Sequence, residues 1–157
     1  MTDKKNKVIC IIQARLNSKR LPKKALVNIS GKTCLQRVIE RVQESKLINE
    51  IWLATTYLKE DKLLEETCKK LKIKFFQGSN LNVLSRFYQI SKITKAKSIV
   101  RITADCPLVD AKIIDQVIKK FQNNNCDYLS NTINRTFPDG LDVEIFSNTV
   151  LKKTFIK

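Results

Sequence analysis

The chain of 157 residues contains no histidine. That excludes a Ser-His-Asp triad, a Cys-His pair, an H-E-x-x-H metal site and any histidine general base. Chemistry here has to come from carboxylates, lysine, arginine or a hard cation. Glycine and proline are scarce, three of each, and all sit at punctuation points between periodic segments. None of the glycines falls in the loop 14–24. That loop is therefore neither a G-x-x-x-x-G-K-[ST] P-loop nor a G-x-G-x-x-G fingerprint, both of which need glycine for close backbone approach to phosphate. Aromatic residues make up 7% and show no spacing for base stacking. No apolar run approaches the ~20 residues of a membrane span. The polar start M-T-D-K-K-N-K lacks the apolar centre of a signal peptide, which favours a cytoplasmic location.

The five cysteines, Cys10, Cys34, Cys68, Cys106 and Cys126, are odd in number and widely spaced, with no C-x-x-C. They argue against a disulfide framework and a structural zinc site. Acid is also short: 15 Asp+Glu stand against 30 Lys+Arg, a net charge of +15. Such a balance admits nucleic-acid binding. Here, however, Lys69, Lys70, Lys92, Lys95, Lys119 and Lys120 are scattered over helix faces that read as solvated. Neither a nucleic acid nor a membrane is read as a partner.

What the sequence does have is alternation. Apolar runs at 8–12, 51–55, 73–76 and 98–103 read as buried strands, with weaker ones at 127–131 and 143–146. Between them lie helical stripes: Leu35, Val38, Ile39 and Val42; Leu64, Cys68 and Leu71; Leu84, Phe87, Tyr88 and Ser91; Ile113, Ile114, Val117, Ile118 and Phe121. Thr33, Asn82 and Asp110 precede three of them as N-caps, and Ser147 opens a last, unfinished helix. The spacing is that of βαβ crossovers. It predicts one α/β domain over 1–157, with a mostly parallel sheet covered on both faces.

The first strand feeds a loop holding Arg15, Lys19, Arg20, Lys23 and Lys24. In open α/β sheets, ligands sit beyond the carboxyl ends of strands, so this loop is a seat for polyphosphate unless it is only a solvated basic loop. Arg15 and Arg20 offer planar forks, Lys24 a point charge and Ser18 a hydroxyl. Asp105 follows the fourth strand after Ala104, at the same edge if the strands are parallel. It is either an ion-pair partner or a ligand for Mg²⁺, which prefers carboxylate and phosphate oxygens. Asp142 and Glu144 are two apart on an expected strand and so share a face. They could hold a cation or orient a sugar hydroxyl, or simply mark an exposed edge. Arg86, in N-V-L-S-R-F-Y, is either a helical surface residue or a ligand contact. Arg101 and Thr103 flank Asp105, and Arg101 is placed to pair with an acid.

I-I-Q-A-R-L-N-S-K-R-L-P-K-K-A-L (11–26), R-I-T-A-D-C-P-L-V-D (101–110) and F-P-D-G-L-D-V-E-I-F (137–146) together resemble the sugar-nucleotide cytidylyltransferases. The branch they resemble most is that of spore-coat polysaccharide biosynthesis protein F. The resemblance implies a Rossmann-like three-layer α/β/α sandwich of the nucleotide-diphospho-sugar transferase type, here shortened at the C-terminus. It implies transfer of CMP from CTP to a sugar, specifically a sugar acid, in polysaccharide or glycan biosynthesis, with Mg²⁺ as cofactor, and it hints at a homodimer. Ala14, Arg15, Ser18, Arg20, Lys24, Arg86, Thr103 and Asp105 would bind nucleotide. Arg15, Lys24 and Asp105 would be catalytic, Asp105 and Asp142 would hold metal, and Asp142 and Glu144 would meet the sugar. The family's usual glycines before the serine and before the final lysine are replaced by Asn17 and Lys23. If the second turn needs φ > 0, Lys23 costs about 1 kcal/mol there. A glycosyltransferase of the same fold and a non-catalytic nucleotide-binding subunit remain as alternatives.

Overall fold

Five apolar residues in succession, Val8 to Ile12, leave no polar face to turn toward water, so the strand they form must be covered on both sides. The computed structural model describes residues 6–18 and 21–156. In it these residues form β1 (Val8–Gln13), almost wholly sealed from solvent. β2 (Asn28–Ile29), β3 (Lys32–Thr33), α1 (Cys34–Gln43), β4 (Glu50–Thr56), α2 (Lys62–Lys70) and β5 (Lys74–Gly78) follow. α3 (Val83–Thr94), β6 (Ser98–Thr103), α4 (Ala111–Asn123), β7 (Tyr128–Ser130), β8 (Glu144–Ser147) and α5 (Asn148–Ile156) complete the chain.

The main sheet has the order β5-β4-β1-β6-β8-β7. β5, β4, β1 and β6 are parallel, and β8 runs antiparallel to both of its neighbours. Alternate residues of β1 face opposite layers. Val8, Cys10 and Ile12 pack with Leu35, Ile39, Leu64, Ile114 and Ile118 of α1, α2 and α4. Ile9 and Ile11 pack with Phe87 and Ile90 of α3 and Leu151 of α5. The result is the expected three-layer α/β/α sandwich with a mostly parallel sheet. Among the described residues, no helix is long and apolar enough to cross a membrane.

The expected caps form. The side chains of Thr33, Asn82 and Asp110 accept from Gln36 N, Ser85 N and Lys112 N respectively, and Ser147 Oγ accepts from Val150 N. The Ser30-Gly31 turn signal becomes the hairpin between β2 and β3. Both of its central residues have positive φ, 49° and 83°, as a two-residue hairpin turn requires. One strand assignment changes: β8 starts at Glu144, so Asp142 lies on the preceding loop and does not share a strand face with it. The side chain of Asn131 occupies that stretch of backbone, accepting from Val143 N at 2.9 Å and donating to Leu141 O at 2.8 Å.

Candidate active site

The carboxyl ends of β1 and β6 are adjacent, with Gln13 in register with Thr103. One more backbone bond, Ala104 N to Gln13 O at 3.1 Å, carries the pairing into the loops. The cationic loop and the acid at 105 therefore meet. Lys24 Nζ donates to the Asp105 carboxylate as an ion pair. Around that pair opens a cleft of about 500 Å³, lined by Gln13, Ala14, Arg15, Asn17, Ser18, Lys24, Asn80, Thr103 and Asp105. Burial alone would raise the pKa of Asp105, but the Lys24 ammonium and the Thr103 hydroxyl hold it below the ordinary carboxylate value.

The loop folds back on one carbonyl. Ser18 N and Lys23 N both donate to Leu16 O, at 2.9 and 3.0 Å. Lys23 adopts φ 55° and ψ 24°, the left-handed conformation that the sequence made conditional, at a strain of about 1 kcal/mol. Asn17 needs no positive φ. Leu16 and Ala25 are buried and anchor the loop, while Arg15 stays exposed at the mouth of the cleft. Arg20, expected to contact nucleotide, lies outside the described residues.

Beneath the loop lies a residue that sequence reasoning passed over. Asp61 is fully buried. Its carboxylate accepts from Leu16 N at 2.8 Å, from Thr56 N at 3.3 Å and from Thr56 Oγ1. It ties the cationic loop to the end of β4 and the start of α2. The signal was in the stripe, since Asp61, Leu64, Cys68 and Leu71 follow the inward 3-4-3 spacing of one helix face.

Arg86 is not a surface residue. It is 1% exposed, and its Nε and Nη1 atoms have no protein partner. Burial depresses its pKa, and the nearby Arg15 charge adds to the depression, while Asp61 opposes both. Two more buried oxygens without partners, Thr55 Oγ1 and Asn80 Oδ1, occur at the same end of β4 and β5. Native interiors rarely leave such groups unpaired, and of these three residues Asn80 lines the cleft. Gly78 makes room for Arg86: a Cβ there would lie 2.7 Å from Arg86 Cγ and 3.0 Å from Phe76 Cε1. Gly78→Ala is expected to destabilise the fold by about 1–3 kcal/mol, read from the urea midpoint, because Arg86 has no slack in which to retreat.

Asp142 and Glu144 go to separate partners. Both Asp142 oxygens accept from Arg135, at 2.8 and 3.2 Å. Glu144 is in register with Arg101 across β6 and β8 and forms an ion pair with it, the acid that Arg101 was expected to find. Arg101 Nε also donates to Gln13 Oε1 at 3.2 Å.

Comparison with known proteins now adds to this geometry. A family model described as cytidylyltransferase matches residues 9–155. An uncharacterized protein of Methanocaldococcus jannaschii is 40% identical over 95% of this chain and 60% of its own length. Spore coat polysaccharide biosynthesis protein SpsF of Bacillus subtilis is 33% identical over 78% of this chain and 53% of its own length. The 3-deoxy-manno-octulosonate cytidylyltransferase of Geobacter sulfurreducens is 28% identical over 74% of this chain and 46% of its own length. The chain thus spans roughly half the length of these relatives. A solved cytidylyltransferase from Leptospira borgpetersenii superposes with a TM-score of 0.92 at 36% identity, covering 96% of this chain and 64% of the other. A CMP:2-keto-3-deoxy-manno-octonic acid synthetase solved with CTP shares the fold, with a TM-score of 0.79 at 18% identity over 96% of this chain and 78% of its own.

Proposed function

Because this chain belongs to the cytidylyltransferase family, we propose that it moves CMP from CTP onto a sugar hydroxyl and releases pyrophosphate. The observation that carries this reading is the meeting of Lys24 and Asp105 in one cleft with Arg15 and Ser18. In the reaction the acceptor oxygen forms a bond to the α-phosphorus, and the bond from that phosphorus to the oxygen bridging the β-phosphate breaks. The hydroxyl proton leaves to water or to the departing pyrophosphate. Such transfer asks the protein for position and charge rather than for a covalent intermediate.

Arg15, Ser18, Arg20 and Lys24 hold the phosphates, with the Ala14 backbone beside them. Arg86 and Thr103 flank the nucleoside and the reacting phosphate. Arg15 and Lys24 oppose the charge that builds on pyrophosphate. The donor set fits Mg²⁺, which takes one or two carboxylates and completes its shell with phosphate and water. Asp105 would hold it, with Asp142 joining if it exchanges its Arg135 partner. Bound with the triphosphate, the cation supplies Lewis-acid neutralisation of the phosphate oxygens. A sugar acid as acceptor and a homodimer are extended to this chain from the resemblance, and a cytoplasmic setting is proposed with them.

A thermal-shift panel of the four ribonucleoside triphosphates, with and without Mg²⁺, tests the reading. CTP with Mg²⁺ at 100 times its dissociation constant is expected to raise the midpoint by roughly 5 °C or more. Equal shifts from all four nucleotides, or none, would overturn it.

A further inference from the structure

Every crossover in the sheet returns to the same edge. β5, β4, β1 and β6 are parallel, and β7 runs with them, since β6 and β7 are both antiparallel to β8. The helices α1, α2, α3 and α4 lead into β4, β5, β6 and β7, so each ends at the amino edge. That edge is separated from the cleft by the six residues of β1, about 20 Å of strand.

The lysines that read as scattered along the sequence are gathered there by this topology. Lys46 precedes β4, Lys72 precedes β5, Lys95 and Lys97 precede β6, and Lys119 and Lys120 lie in the last turn of α4. All six are exposed, and none forms an ion pair among the described residues. Most acids of the same edge already have partners. Glu50 pairs with Lys7 and Lys74, Asp115 accepts from Ser45 Oγ, and Asp127 accepts from Ser147 Oγ. Glu44 stays exposed without a side-chain partner among the described residues.

We propose that this amino edge docks on an anionic lipid bilayer, with the cleft at the opposite edge turned away from the lipid. The inference does not depend on the reading under Proposed function. Two of the lysines stand where the backbone disfavours them. Lys72 and Lys95 have φ of 54° and 52°, in the left-handed turns that end α2 and α3. Glycine is the usual residue at such a position. A cation near a helix end complements the dipole, but that gain is no larger than the strain of a left-handed turn without glycine. Their charge has no partner inside the fold, and an anionic surface supplies one. Each lysine brought near such a surface strengthens binding about fivefold.

The side chains favour a bilayer over a nucleic acid. All six are lysines, compact point charges without the planar fork that grips a single phosphate. Among the described residues the edge offers no aromatic for base stacking. The exposed Tyr57 and Phe137 belong to loops of the carboxyl edge, and Tyr128 turns toward Glu144. The edge does expose Ile93, in the last turn of α3 between Lys92 and Lys95, at 58%. An apolar side chain amid lysines suits the boundary between headgroups and acyl chains.

Flotation with vesicles of phosphatidylcholine, alone or with about a third phosphatidylglycerol, tests the proposal. The chain is expected to bind the anionic vesicles at least tenfold more tightly, and to leave them at about 0.5 M salt. Lys72→Gly combined with Lys95→Gly removes two charges and relieves two strained turns. This double variant is expected to keep or raise its unfolding midpoint and to bind anionic vesicles roughly 20-fold more weakly. Lys59→Gln combined with Lys112→Gln takes the same charge from the carboxyl edge, and less than a threefold loss is expected. Equal losses in the two double variants would make net charge, rather than this edge, the cause and would overturn the proposal. So would equal affinity for neutral vesicles, or no binding at low salt. Preferential capture by a short DNA duplex added in competition with the vesicles would overturn it in favour of a nucleic acid.

Discussion

Asp61→Ala is expected to lower stability by about 3–5 kcal/mol, more than any other single carboxylate replacement among the described residues. The carboxylate is fully buried and accepts from Leu16 N, Thr56 N and Thr56 Oγ1. Alanine would leave two backbone donors and a hydroxyl unpaired in the interior, each at a cost of about 1–3 kcal/mol unless water enters. It would also strand the Arg86 guanidinium, whose charge Asp61 offsets from nearby. Asp61→Asn keeps the shape but turns one acceptor into a donor, so a smaller loss is expected. Urea unfolding checks both variants. Unchanged slopes with lower midpoints would place the effect in the native state. Because Leu16 anchors the cationic loop, both variants should also weaken CTP binding. A loss below about 1 kcal/mol in Asp61→Ala would mean that the loop is held by other contacts.

Asp105→Asn is expected to do the reverse, with a large effect on turnover and a small one on the fold. Asp105 and Lys24 are about one-third exposed, at 36% and 32% along their side chains. Breaking such a screened pair is worth roughly 1 kcal/mol or less. Cytidylyl transfer, followed as pyrophosphate release, is expected to fall by about 10²–10³-fold or more, the scale for removing one preorganised electrostatic contact. The Mg²⁺-dependent part of the CTP thermal shift should disappear while the Mg²⁺-independent part remains. Lys24→Met should show the opposite division, losing phosphate affinity in the absence of metal. Retention of the full Mg²⁺ response in Asp105→Asn would remove that carboxylate from the metal site.

These two residues were not equally visible in the chain. Asp105 could be found because a strand of clear pattern, 98–103, delivers it to a known edge. The loop at 14–24 could be found in the same way. The strands and caps were legible for local reasons: continuous apolar runs, and a Thr, Asn or Asp just ahead of a helical stripe. The 3-4-3 stripe turns Asp61 inward, but what Asp61 binds and why Arg86 is buried are set by long-range packing. The loop partner of Asp61, Leu16, lies 45 residues away, and the burial of Arg86 depends on the missing side chain at Gly78. Neither relation has a local period. Asp142 was placed on a strand because alternation was extended two residues too far. The Asn131 amide, a tertiary contact, captures the backbone at Leu141 and Val143 before the strand begins.

The reversal of β8 has a further consequence. In a wholly parallel sheet, every loop at the reactive edge follows a strand. Here the edge is fed from two directions, because β8 enters the sheet where β6 leaves it. The segment 131–143 therefore reaches the same edge by its own route, on the far side of β6 from the loop at 14–24. Away from Asp142, its length and chemistry can drift through evolution or redesign with no rearrangement of the loop at 14–24. On the proposed reading, a lineage could thus change what it activates while leaving untouched the half that would grip the nucleotide.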